Sequence, residues 1–163
     1  MNAKLTAHRI MLFLTALGVL AWSGTASADE PHVPFTAWGE TTVISAGEPF
    51  GDLLIAVIEG DSKPFGSFIG LFESSLVGTG DVAPVGIGTA TLDFNGGTLV
   101  LEVPNEVGPD GDGHGAWRVI DGDGIFEGVS GHGTLVDEVI GFTDEGLPIF
   151  AFMFEGKLFK SDG

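Results

Sequence analysis

Glycine recurs too often along this chain for helices to form. It supplies 27 of the 163 residues, more than twice the ~7% usual in proteins. All but Gly18 and Gly24 lie beyond Ala28. A glycine inside a helix costs about 1 kcal/mol relative to alanine, and no long stretch between glycines keeps a 3.6-residue apolar period. What remains are short runs rich in Val, Ile, Thr and Phe, separated by Gly, Pro and Asp. Such runs predict an all-β sandwich or barrel.

Eight strands are expected, at 36–45, 53–59, 66–75, 87–94, 98–103, 116–120, 132–139 and 149–159. Pro49, Pro64, Pro84, Pro104, Pro109 and Pro148 fall at or beside their ends, where a missing N–H breaks no ladder bond. One hairpin can be tested by register. A two-residue turn on Asn95-Gly96 sets Leu92 opposite Leu99, Ala90 opposite Leu101 and Gly88 opposite Val103. The other face then pairs Asp93 with Thr98, Thr91 with Val100 and Thr89 with Glu102. One register sorts apolar from mostly polar, as a half-buried sheet requires. In the last strand Phe150, Phe152 and Phe154 alternate with Ile149, Ala151 and Met153. Both faces are apolar, so the outer one is expected to meet a covering segment or another subunit.

The first 28 residues read as a cleaved signal peptide. Lys4 and Arg9 charge the start, Ile10 to Trp22 form an apolar run, and Ala26-Ser27-Ala28 offers small residues for cleavage. The expected product is one domain, 29–163, secreted or periplasmic, with no membrane span. It contains no cysteine, so its stability must come from a packed core. Only four Lys and Arg remain beyond Ala28 against all 23 acids, a net charge of −19. Such a surface repels nucleic acid and anionic lipid. An outer-membrane barrel is opposed by the absence of tyrosine for aromatic girdles and by acids throughout the strands.

The densest glycine stretch joins two runs that each begin Gly-His-Gly, at His114 and His132. Between them stands Val119-Ile120-Asp121-Gly122-Asp123-Gly124-Ile125-Phe126-Glu127-Gly128, with Ile125-Phe126 as an apolar plug. This resembles the corner of the allene oxide cyclase and dirigent-like barrel superfamily, in the form of its secreted bacterial members. There, two apolar residues lead into a Gly-Gly-Thr-Gly-x-Phe/Tyr-x-Gly turn and then a Gly-x-Gly strand. Gly122, Gly124, Phe126, Gly128, Gly131, Gly133 and Leu135 match, with Asp121 and Asp123 where a small residue and threonine are common. Gly88-Thr89-Ala90-Thr91-Leu92 and Gly97-Thr98-Leu99 are similar to the preceding hairpin. The resemblance implies a small eight-stranded antiparallel β-barrel with an apolar interior, often a homo-oligomer. Plant relatives steer cyclisation or radical coupling inside such a cavity. None of the matched positions is catalytic, so no catalytic residue is carried over.

Trp117 and Arg118 adjoin in one strand, and alternation sends one of them inward. Trp117, Phe126 and Phe152 are candidate walls for an apolar ligand. Arg118, if inward, could hold a carboxylate; if outward, it is a solvated charge. Asp110, Asp112 and Asp121 occupy the first, third and twelfth positions of an EF-hand-like count, a candidate calcium set. That count departs at the fifth position (His114), the ninth (Arg118) and the twelfth (Asp for Glu), and its flanks read as strands. Tight inter-strand turns call for the same residues. His114 and His132 begin successive strands, so an antiparallel meander should hold them on the order of 20 Å apart.

Three functions follow as expectations. The first is a container for a small apolar molecule. The second is a cyclase or coupling-guide enzyme on an unsaturated substrate, which would need a polar group inside the barrel. The third is a structural or interaction protein whose barrel is filled by its own side chains.

Overall fold

The turn at Asn95-Gly96 sets the pattern of the wall. Gly96 has φ +126°, a conformation open to glycine and rare for other residues. The flanking strands pair Leu92 with Leu99, Ala90 with Leu101 and Gly88 with Val103, the register expected from the sequence. Ala90, Leu92, Leu99, Leu101 and Val103 are fully buried. On the other face the Thr98 hydroxyl donates to Asp93 Oδ1 at 2.8 Å.

The computed structural model describes residues 31–46, 53–77, 85–107 and 112–160. The expected signal peptide, 1–28, and Asp110 lie outside the described residues. The strands are β1 (His32–Ala46), β2 (Leu54–Lys63), β3 (Gly66–Val77), β4 (Val85–Phe94), β5 (Gly97–Val107), β6 (Gly113–Gly122), β7 (Val129–Phe142) and β8 (Pro148–Lys160). Each pairs antiparallel with the next, and β1 pairs with β8, which closes an eight-stranded barrel. No described helix is long and apolar enough to cross a membrane.

All eight expected strands form, and most run further than the punctuation suggested. β5 was expected to stop at Val103 but continues through Pro104 to Val107. Its pairing with β6 lapses at Val103 and Pro104, so the ladder is open where proline has no N–H to donate. In β8, Phe152, Phe154 and Leu158 are buried, while Ile149, Ala151 and Met153 lie half-buried on the outer face.

The glycine corner is a single 3-10 turn, Gly124–Phe126, folded onto the β4–β5 hairpin. Asp123 N–H donates to Thr98 O at 2.9 Å and Ile125 N–H to Gly96 O at 3.0 Å. Thr98 N–H returns a bond to Asp123 Oδ1 at 2.7 Å. Asp123 thus ties the corner down. Phe126 enters the barrel, its ring 4.8 Å from Phe65 and 5.1 Å from Phe94. Ile125, expected to plug alongside it, stays outside and covers Gly96 instead.

Candidate functional site

The barrel interior differs between its two ends. The end that holds the β2–β3 and β4–β5 turns and the 3-10 corner is closed by rings: Phe35, Phe68, Phe94, Phe126 and Trp117 are all buried. Their centroids lie about 5–6 Å apart, many edge-on or tilted, the geometry aromatic rings prefer. Trp117 lies over the ladder pair Gly133 and Gly156. A Cβ added to either glycine would come within 2.6 Å or less of the indole. Trp117 Nε1–H finds no acceptor among the described residues.

Along the opposite half of β7, Gly133, Leu135, Asp137 and Val139 take the inward positions. Asp137 is therefore the one charged residue on an inward strand position among those described. Its ladder partners are Gly113, the first residue of β6, and Phe152 of β8. Burial pushes its carboxyl up to about 6, partly opposed by the Gly113 N–H. The charge of Asp112 adds to the rise and that of His114 lowers it. Beside it, Asp112 Oδ1 accepts the Val139 N–H at 3.2 Å. A carboxyl in this state holds or releases a proton close to neutral pH.

The structure decides between Trp117 and Arg118. Trp117 is inside, and Arg118 stands on the outer wall, where its Nε–H donates to Glu102 Oε2 at 2.6 Å. That hydrogen bond holds the Glu102 carboxyl below its usual range and raises Arg118. Trp117 and Phe126 belong to the aromatic floor, walled by other rings. Of the four candidate ligand residues, Phe152 stands beside Asp137.

Asp112 immediately precedes β6 and Asp121 is its penultimate residue, nine residues apart along one extended strand. At 3.3 Å per residue that is about 30 Å, far beyond the 2.3–2.6 Å at which calcium meets each oxygen. The strand flanks pull the EF-hand-like count apart, and no metal-sized cluster occurs among the described residues. His114 and His132 are also separate, because His132 pairs with Arg118 and His114 with Val136. Their offset is four residues, about 13 Å. It is shorter than expected because β7 starts at Val129, before His132.

Asp137 went unnoticed in the sequence, although its signal was present. In Gly133-Thr134-Leu135-Val136-Asp137-Glu138-Val139 both faces carry an acid, so the acidic pair hides which carboxylate shares the Leu135 face. An open recess of about 390 Å³ also lies over β1–β3, lined by Gly39, Glu40, Glu59, Gly60, Asp61, Phe68 and Ile69. It includes none of the candidate residues.

No protein-family model matches the sequence, and no curated protein matches it. Among solved structures, the chain is similar to the pterocarpan synthase dirigent protein PsPTS1. Identity there is 11%, coverage 83% of this chain and 98% of that one, and the TM-score 0.49. It is similar also to the pterocarpan synthase dirigent protein GePTS1, at 12% identity, 82% and 87% coverage and a TM-score of 0.47. At that identity and score neither likeness assigns a family or an activity to this chain.

Proposed function

We propose that this chain is an exported barrel that holds one small, mostly apolar molecule in the half of its interior that contains Asp137. The lone inward carboxyl carries this reading. An ionised buried carboxylate without a basic partner is destabilising, and leucine or valine would fill the position better, as at Leu135 and Val139. A polar group kept on an apolar wall is what a ligand site needs for orientation. Phe152 is its apolar neighbour across the ladder. Export is supported by the charged start, the apolar run and Ala26-Ser27-Ala28.

The test is native mass spectrometry of the protein purified from its own source, beside Asp137→Asn. A small-molecule mass that is retained by the natural protein and weakened in the variant supports the reading. Clean apo masses in both overturn it. The same spectra give the N-terminus, expected at Asp29.

The enzyme reading draws on the same residue. A carboxyl that titrates near 6 can give or take a proton from a bound unsaturated substrate. An interaction protein is favoured by a different observation, the outer row Trp38–Met153–Val136, paired across β1, β8 and β7. Trp38 and Val136 are exposed there. A homo-oligomer through this row would appear in the same spectra.

A further inference from the structure

We propose that the molecule held at Asp137 is an amine, with its ammonium set against the carboxylate and its apolar body along Phe152. This rests on the container reading above and adds the chemical class of the ligand.

Beyond Ala28 the chain has four Lys and Arg: Lys63, Arg118, Lys157 and Lys160. All four are exposed, as are His32, His114 and His132. No base of the described barrel therefore reaches Asp137 from inside. Its ladder neighbours Gly113 and Phe152, and Leu135 and Val139 along its own strand, carry no charge. Among the described residues, an ionised Asp137 has the Gly113 N–H and the exposed His114 to favour it, and no cation on the inner wall.

The chemistry of the site narrows what that partner is. An anionic ligand would meet both Asp137 and Asp112, in a protein whose net charge is −17 and which concentrates cations at its surface. A calcium ion takes 6–8 oxygen ligands. Asp137 offers one carboxylate, and Asp112 already accepts the Val139 N–H. An ammonium needs far fewer acceptors, and its carbon stem gains from the aromatic ring that a hydrated metal would not use. Charge-assisted pairing in a partly buried site is also the stronger kind of hydrogen bond.

Proton linkage follows. The amine binds the ionised carboxyl, so its affinity is lost as pH falls through the range where Asp137 takes up a proton. Asp112, just before β6, and His114, its second residue, are the charged groups that act on Asp137. The β8 positions beside it, Ala151, Phe152 and Met153, add none.

The experiment titrates a panel of primary amines, butylamine to decylamine and phenethylamine, against the full-length protein at pH 7.5. Each amine is matched with its alcohol and its carboxylate. At least one amine is expected to bind about tenfold or more tightly than its alcohol, the worth of a hydrogen bond to a charged group. The carboxylates should bind least. Lowering the pH to 5 should weaken the amine and leave the alcohol unchanged. Asp137→Asn, which removes a partly buried charge and should fold, brings the amine down to the alcohol's level. Equal binding of amine and alcohol in the natural protein overturns the amine and leaves the container standing. No binding by any probe, with a clean apo mass from the native source, overturns both.

Discussion

The carboxylate of Asp137 lies against the backbone of Gly113, its partner across the β6–β7 ladder. A Cβ on Gly113 would stand 2.5 Å from Oδ1 and 2.7 Å from Oδ2. Glycine at the start of β6 is therefore what lets an acid lie down on the inner wall. The two positions should be energetically coupled. Gly113→Ala is expected to destabilise by about 1–3 kcal/mol, the usual cost of overpacking. In an Asp137→Ala background the same change should cost less than half as much. Equal costs in both backgrounds, read by denaturant unfolding, would remove the contact from the account.

Acid should stabilise this protein over a window where many proteins begin to weaken. Asp137 titrates at about 6 in the fold against 3.8 ordinarily, so the folded chain binds the proton more tightly than the unfolded one. Its contribution to stability is full below the unfolded value and declines as pH rises from about 4 to about 6. Above that range it stays at a deficit of about 3 kcal/mol. Asp137→Asn should therefore match the natural protein near pH 4 and exceed it at pH 7. Melting curves of the two at several pH values give the difference directly.

Not every glycine in the strands is needed. At Gly133 a Cβ would meet the Glu155 carbonyl and the Trp117 indole, whereas at Gly141 nothing lies within 4 Å. Gly133→Ala is expected to cost more than about 3 kcal/mol or to prevent folding, since backbone and a buried ring must both shift. Gly141→Ala should remain within about 0.5 kcal/mol. Comparable thermal shifts for the two would contradict the packing described for Trp117.

Arg118 is the sole arginine beyond Ala28, yet its exposed pair with Glu102 should matter little. Exposed ion pairs gain small Coulomb energies that salt screens further. Arg118→Gln is expected to leave unchanged both the melting curve at 0.15 M salt and the retention of the ligand proposed above. Loss of the ligand would return Arg118 to the interior.

Where a decision depended on local chemistry, the residues in order were enough. Closely spaced glycine removed helices, turn residues marked eight strands, and Asn95-Gly96 with the apolar alternation around it set the β4–β5 register. These are short-range matters of backbone freedom and of period two along a strand. Tertiary structure decided what the strand sequence leaves balanced. Trp117 and Arg118 are equally compatible with either face, until the Gly133–Gly156 pair offers a seat that fits an indole and Glu102 a partner that fits a guanidinium. Asp112 and Asp121 look close in a count of residues and are pulled far apart by an extended β6. Asp137 and Glu138 are one acidic pair in sequence, and closure of the barrel turns one inward and the other to water. Which acid goes inside depends on its neighbours across the ladder, Gly113 and Phe152, which lie 24 and 15 residues away along the chain.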